Sequence, residues 1–292
     1  MTLPRVSDLP HRLICFGFAC LITTSFANHA TAVEHAFFHE NVLGTSLELH
    51  IVAEDTPAAT RAEEIVLREI DRLSAIYSQY DPNSEFSILV KTPQGKTQSI
   101  SEELAETLDV CKKWHTSSGG AFNPAVAQFS AAWEHAVKTG IIPDQTKIST
   151  DLQAISRPHW RIDKVAGRVR RTSSNPLSLN AIAKGVILDK VAAKVLNSST
   201  NIKGLMLNIG GDIRVAGEIT VNVEIADPGH DAIGSTNLSS IILKKGAVAT
   251  SGSTERYYDV AGRSFSHIID PRSGQPVDET ISATVLAQDA RT

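Results

Sequence analysis

Asn180-Ala-Ile-Ala-Lys-Gly-Val-Ile-Leu-Asp-Lys-Val-Ala-Ala-Lys-Val-Leu-Asn197, followed closely by Lys203-Gly-Leu-Met-Leu-Asn-Ile-Gly-Gly-Asp-Ile-Arg-Val215, decides the fold class. The first half reads as the strongest helix in the chain, capped by Asn180, with Ile187, Val191 and Val195 on one side. The second half reads as strand, Gly-Gly-Asp loop and strand. With the other segments below, this mixture predicts an α+β fold of mixed sheets with packed helices, in one domain carrying excursions.

On the N-terminal side, His39 to Ala53 alternates around Leu43, Leu47, Leu49 and Ile51 and reads as an opening strand or hairpin. Ala58 to Ser78 is an amphipathic helix with Val66, Ile70, Leu73 and Tyr77 on its apolar face, and Tyr80 to Ser84 is a turn. Ser101 caps a helix whose buried face runs through Leu104, Leu108, Cys111 and His115, ended by Thr116 to Gly120. A short helix over Ala127 to Lys138 follows, then a polar connection, Thr139 to Arg157, too irregular to assign. His159 to Ile162 and Gly167 to Arg171 form a strand pair. Beyond the deciding stretch, Val221 to Ile225, Ser240 to Leu243, Ala247 to Thr250 and Ser282 to Ala287 read as strands, and Tyr257 to Val260 pairs with Ser264 to Ile269 across Ala261-Gly-Arg263.

The 292 residues are 42% hydrophobic and 21% charged, with a formal net charge of -4, which suits a globular protein. No basic block marks a nucleic-acid footprint, and no second long apolar run follows the N-terminal one. Residues 1 to 32 read as an export signal: Arg5, His11 and Arg12, then apolar Leu13 to Phe26, then small residues at Ala30-Thr-Ala32. Cleavage there removes Cys15 and Cys20 and leaves Cys111 as a buried, inert thiol. The expected layout is a signal peptide over 1–32 and one domain over 33–292.

Four segments join glycines to polar side chains at element ends. Gly119-Gly-Ala-Phe-Asn-Pro124 is either a ligand-binding loop or simply a helix C-cap followed by a tight turn. Leu179 to Gly185 offers backbone N–H groups and Lys184 to an anion, or is simply a capped helix with a solvated lysine. Asn208-Ile-Gly-Gly-Asp212 can form an anion nest or an ordinary hairpin turn. Ala249-Thr-Ser-Gly252 and Ser266-His-Ile-Ile-Asp-Pro-Arg-Ser-Gly274 bring hydroxyls and His267, which can act as a base or serve structure. No HExxH or CxxC spacing points to zinc, and no Gly-x-Ser-x-Gly elbow supports a hydrolase built on Ser251 and His267.

The order of these segments resembles the ApbE-like FAD:protein FMN transferase family. The resemblance is carried by Ser84-Glu85 after the Tyr80 turn, the Ala121-Phe-Asn-Pro loop, Ala-Ile-Ala-Lys-Gly185 with Asp189 beyond, Asn208 to Arg214, Ala249 to Gly252, Arg256-Tyr257 and Ser266 to Pro276. It covers residues 40 to 288 and implies an ApbE-like, T-fold-like architecture.

The resemblance also implies a reaction: Mg²⁺-bound FAD is cleaved at its pyrophosphate, FMN passes to a threonine or serine hydroxyl of a partner protein, and AMP leaves. It assigns His267 as the base. Flavin and adenine contacts fall to Leu43, Tyr80, Ala121, Phe122, Asn123, Ser178, Lys184 and Ile269, with Thr250 and Ser251 near the phosphates. Ala181, Asp289 and Thr292 stand where oxygens reach Mg²⁺. Several positions depart from the family's usual residues: Leu43 replaces methionine, Asn123 and Ser178 replace aspartates, and Lys184 replaces the glutamate of some members. The alternatives of the same chemistry are FAD hydrolysis to FMN and AMP, or a periplasmic FAD-binding protein without turnover. The implied setting is the periplasm, with possible inner-membrane association and a membrane-associated redox subunit as acceptor. Asp289-Ala-Arg-Thr292 matches the family's Asp-Ala-x-x-Thr spacing loosely and early, which reads either as a chain lacking the family's C-terminal end or as the same ligands in a shifted register.

Overall fold

The structure is a computed structural model that describes residues 32–228, 237–252 and 256–292. The expected signal segment lies outside the described residues, save Ala32. The chain opens with a hairpin, β1 (Val33–Val42) and β2 (Thr45–Ala53), then α1 (Thr56–Tyr77) and α2 (Glu85–Lys91). β3 (Thr97–Ser99) leads to α3 (Glu102–Ser117), a 3-10 turn at Pro124–Val126, α4 (Ala127–Thr139) and α5 (Gln145–Ile155). β4 (Trp160–Asp163), β5 (Arg168–Arg171), α6 (Ala183–Leu196), β6 (Ile202–Ile209) and β7 (Asp212–Gly217) follow. Short strands complete it: β8 (Val221–Ala226), β9 (Asn237–Leu243), β10 (Gly246–Gly252), β11 (Tyr257–Val260), β12 (Arg263–Ser266), β13 (Ile269–Asp270), β14 (Gln275–Pro276) and β15 (Ser282–Ala287).

Six strands form the main sheet in the order β1-β2-β6-β7-β10-β15, with antiparallel neighbours throughout. One face carries Leu47, Leu49 and Ile51 of β2 and Leu205 and Leu207 of β6, packed with Val66, Ile70 and Leu73 of α1 and Ile187, Val191 and Val195 of α6. The other face gathers Met206, Val215 and Val248 against Val223 of β8 and Leu243 of β9. That two-sided burial explains why β6 reads Leu-Met-Leu rather than alternating. Cys111 is fully buried in the larger core, and burial pushes its thiol up to about 12, as an inert side chain requires.

Two expectations need correction. Thr139 to Arg157 is not all irregular, because Asp144 accepts from the Lys147 amide and caps α5, which buries Ile148 and Ile155. Its Thr146, Ser149 and Thr150 favour helix weakly and hid the spacing. Asn180 does not cap α6: the helix begins at Ala183 after Ile182, with no side-chain cap. The sequence also gives no sign of α2, capped by Ser84, of the 3-10 turn at Pro124–Val126, or of β3 and β14, too short for a periodicity signal.

β15 feeds the segment Asp289 to Thr292 across the first turn of α6. The Ala290 amide donates to Asp189 Oδ1 at 3.0 Å and the Arg291 amide to Asp189 Oδ2 at 3.1 Å. The Trp114 indole of α3 donates to the Arg291 carbonyl at 3.0 Å. The approach is so close that a Cβ on Gly185 would lie 2.0 Å from the Ala290 carbonyl oxygen. Gly185→Ala should therefore expel this segment and destabilise the protein by about 1–3 kcal/mol. Urea melts check the loss and Trp114 fluorescence checks the displacement.

His50 of β2 bonds Glu34 of β1 at 2.5 Å and Glu48 at 2.9 Å. Burial opposes its charge, but the hydrogen bonds to both carboxylates outweigh it and hold the pKa above 6.5. The imidazolium thus contributes stability that is full below the unfolded value and lost as pH rises through the folded one. Melts across pH 5.5 to 8.5 should show the stability advantage over His50→Gln shrinking as pH rises.

Candidate functional site

Three of the four loops singled out in the sequence, around Pro124, Ser178 to Gly185 and Gly210 to Asp212, meet at the start of α6. Ser178 anchors them: its amide donates to the Pro124 carbonyl at 2.8 Å, and its hydroxyl donates to Gln79 Oε1 at 2.7 Å and accepts from the Asn180 amide at 3.1 Å. Asn180 Nδ2 donates to the hydroxyl of Tyr80 at 3.2 Å, while Tyr80 is 78% exposed. Tyr80 and Ser178 are therefore neighbours, and the Ala121 to Pro124 loop joins them through Pro124. That loop is shaped from behind by His115, whose Nδ1 donates to the Phe122 carbonyl at 3.0 Å. Asn123 is buried and spends its amide on structure, accepting from the Ala125 amide at 2.9 Å and donating to the Ile155 carbonyl at 3.2 Å. An aspartate could not make the second bond. Phe122 packs against the core and Ala121 is exposed.

On the other side of α6, Lys184 pairs with Asp212 Oδ2 at 2.6 Å, tying the helix to the β6–β7 turn. Gly210 and Gly211 of that turn take φ of 57° and 89°, and a Cβ on Gly210 would lie 2.6 Å from Thr45 Oγ1. Glycine is needed there for both reasons. Thr45 belongs to the β1–β2 hairpin, whose turn residue Leu43 has φ 51° and packs against the core. A leucine in the left-handed region is strained, and such strain concentrates where a side chain is held for a purpose.

Asp189, midway along α6, accepts from Arg214 Nε at 2.8 Å in addition to the two amides of the 290–291 segment. Arg214 Nη1 also reaches the carbonyls of Val215 and Gly246. Asp189 and Arg214 appear in the motifs, but nothing in the sequence gives either a role; pairing across 25 residues carries no local signal. Asp289 Oδ1 accepts from Thr292 Oγ1 at 2.5 Å, so these two oxygens are side by side. Ala290 between them lies on Gly185 in the first turn of α6, and the Ala181 carbonyl, one turn before, has no backbone donor among the described residues. Among the described residues no cluster of three His, Cys, Asp or Glu could hold a metal ion. A carboxylate, a hydroxyl and a carbonyl are still the hard-oxygen donors that Mg²⁺ accepts when substrate phosphates complete its shell.

His267 follows β12, half-buried, and its Nδ1 lies 2.8 Å from the Arg256 carbonyl. A carbonyl only accepts, so Nδ1 carries a proton and Nε2 is the ring nitrogen left to exchange one. The next segment is fixed by Ile269, buried in the core, and by Trp133, whose indole donates to the Gly274 carbonyl at 3.3 Å. Arg272 holds Asp270 in a two-pronged pair that keeps the carboxyl below the usual range, and its Cγ is 3.8 Å from where a Gly120 Cβ would stand. The His267 segment thus borders the Gly119–Pro124 loop. Thr250 and Ser251 lie exposed on β10, with Thr250 Oγ1 2.9 Å from Thr284 Oγ1 of β15. No direct contact joins His267, Thr250 or Ser251 to the α6 group among the described residues.

This chain is 26% identical over 252 residues to an FAD:protein FMN transferase of Klebsiella pneumoniae, spanning 85% of this chain and 76% of the relative. A Haemophilus influenzae protein of that name is 29% identical over 83% of this chain and 74% of its own length. A Rhodobacter capsulatus one is 28% identical over 84% of this chain but only 47% of itself. Among solved structures, the ApbE protein of Thermotoga maritima superposes with a TM-score of 0.77 at 27% identity, covering 89% of this chain and 83% of that one. The apo flavinyl transferase ApbE of Pseudomonas stutzeri shares the fold, with a TM-score of 0.73 at 21% identity over 89% and 81%. With the family model matching residues 43–292, nearly the whole of the described chain, the protein belongs to the ApbE family.

Proposed function

We propose that this protein is an FAD:protein FMN transferase that acts after export, in the periplasm, on a threonine or serine of a membrane-associated redox subunit. The observation that carries the reading is the convergence of the Leu43, Tyr80, Ala121–Pro124, Ser178–Gly185 and Gly210–Asp212 segments on the start of α6, with His267 held as an Nε2 base. Leu43, Tyr80, Phe122, Ser178 and Lys184 would flank the flavin and adenine, Ile269 would back them, and Thr250 and Ser251 would meet the phosphates. Ala181, Asp289 and Thr292 would hold Mg²⁺, which supplies charge neutralisation at the pyrophosphate.

In the transfer, the acceptor hydroxyl oxygen bonds to the FMN phosphorus and the P–O bond to the AMP phosphate breaks. The hydroxyl proton goes to His267 Nε2, and AMP departs with the bridging oxygen. Such chemistry asks the protein mainly for positioning and charge complementarity, which suits loops fixed by backbone bonds rather than a nucleophile of their own. Lys184, paired with Asp212 at 2.6 Å, would have to share or exchange that carboxylate to meet a phosphate.

The protein with FAD, Mg²⁺ and a threonine-containing acceptor should release AMP and yield a fluorescent band in a denaturing gel. Free FMN without that band would instead identify a hydrolase, and FAD binding without AMP would identify a binding protein. His267→Ala should keep FAD affinity while slowing transfer about 100-fold or more. Unchanged turnover in that variant would remove His267 from the base role.

A further inference from the structure

We propose that the three-stranded sheet β3-β5-β4 carries a binding site for a phosphate-type oxyanion, held by Arg161 and Arg170. The two residues face each other across β4 and β5 in the strand register, and both are exposed. Like charges directly opposite on a sheet repel, so such a pair persists at a cost unless an anion lies between them. Arg68, Arg72, Arg214 and Arg272 each hold a carboxylate, whereas Arg61, Arg157 and Arg168 share with this pair the lack of an ion pair among the described residues, so the facing register is what sets Arg161 and Arg170 apart. Neighbouring Lys164 has Asp109. Arg161 and Arg170 have no ion pair among the described residues, although Asp163 lies on the same face, opposite Arg168.

Arg171, the next residue on β5, deepens the imbalance. It is fully buried, its Nη2 donates to the Asn175 carbonyl at 2.7 Å, its Nη1 reaches the His159 carbonyl at 3.4 Å, and its Nε has no partner. A buried cation met only by carbonyls is poorly compensated, and burial draws its pKa downward. A cavity of about 300 Å³ adjoins all three arginines, lined also by Gln94, Gly95 and Thr172, none of them acidic. Guanidinium forks match the oxygens of a tetrahedral dianion, and two of them with a third positive charge behind call for more than one negative charge. The same chemistry is offered by free inorganic phosphate and by the terminal phosphoryl group of a nucleotide.

Isothermal titration of the full chain with inorganic phosphate, and separately with AMP, at low ionic strength tests the site. Saturable binding of phosphate is expected, weakening as salt rises, at least tenfold weaker in Arg161→Gln or Arg170→Gln and lost in the double variant. Because both side chains are exposed and repel each other, the double variant should melt no lower than the wild type without phosphate and should keep its FAD affinity. Phosphate binding that exceeds AMP binding identifies the free ion, and AMP binding that exceeds it and depends on both arginines identifies the nucleotide phosphoryl group. No saturable phosphate or AMP binding, or binding unchanged in the double variant, overturns the proposal.

Discussion

The carboxylate of Asp189 is the joint on which the arrangement around α6 rests. From one helical position it accepts from Arg214 of β7 and from the amides of Ala290 and Arg291. Helix, sheet and the segment after β15 are thereby locked with two largely buried charges, 14% and 13% exposed. Removing one partner of such a pair typically costs about 3–5 kcal/mol, because the other is left buried without compensation. Asp189 is thus structural: it holds the 290–291 amides so that Ala290 lies over Gly185, with Asp289 and Thr292 bonded to each other on either side.

Around that joint the loops are set mostly by side-chain hydrogen bonds and one ion pair. Ser178 joins Pro124 to Gln79, His115 fixes Phe122, and Lys184 reaches across to Asp212. Loops fixed in this way can hold a dinucleotide without rearranging, and the left-handed Leu43 extends the same logic to the hairpin above them. Asn123 and Ser178 are both committed to hydrogen bonds within the loops, and Asn123 makes a donation that a carboxylate could not.

Much of the fold was legible from local pattern. The strand over Ser282 to Ala287, the Gly210-Gly211 turn and the Ser101 cap stand where the residues place them, because each is decided by neighbours within a few positions. The Asn180 cap failed for the same reason it looked persuasive, since Asn at a helix start is a strong local signal, and here Tyr80, one hundred residues away, takes its amide. α5 stayed hidden because its serines and threonines favour helix weakly while its core contacts are distant. The site was legible as an order of motifs, but its geometry was not. The pairing of Asp189 with residues 290 and 291 and the docking of Ala290 on Gly185 exist only once the chain has folded.

The most direct measurement is an FAD titration, read by flavin fluorescence, with and without Mg²⁺, on the wild-type chain and on Asp189→Asn. Asparagine keeps the shape but sets an NH₂ group or a weaker oxygen against Arg214 and the two amides, so the 289–292 segment loses its anchor. Mg²⁺ should tighten FAD binding to the wild-type chain about tenfold or more and leave the variant's affinity nearly unchanged. An equal Mg²⁺ effect in both proteins would contradict a metal site positioned by Asp189.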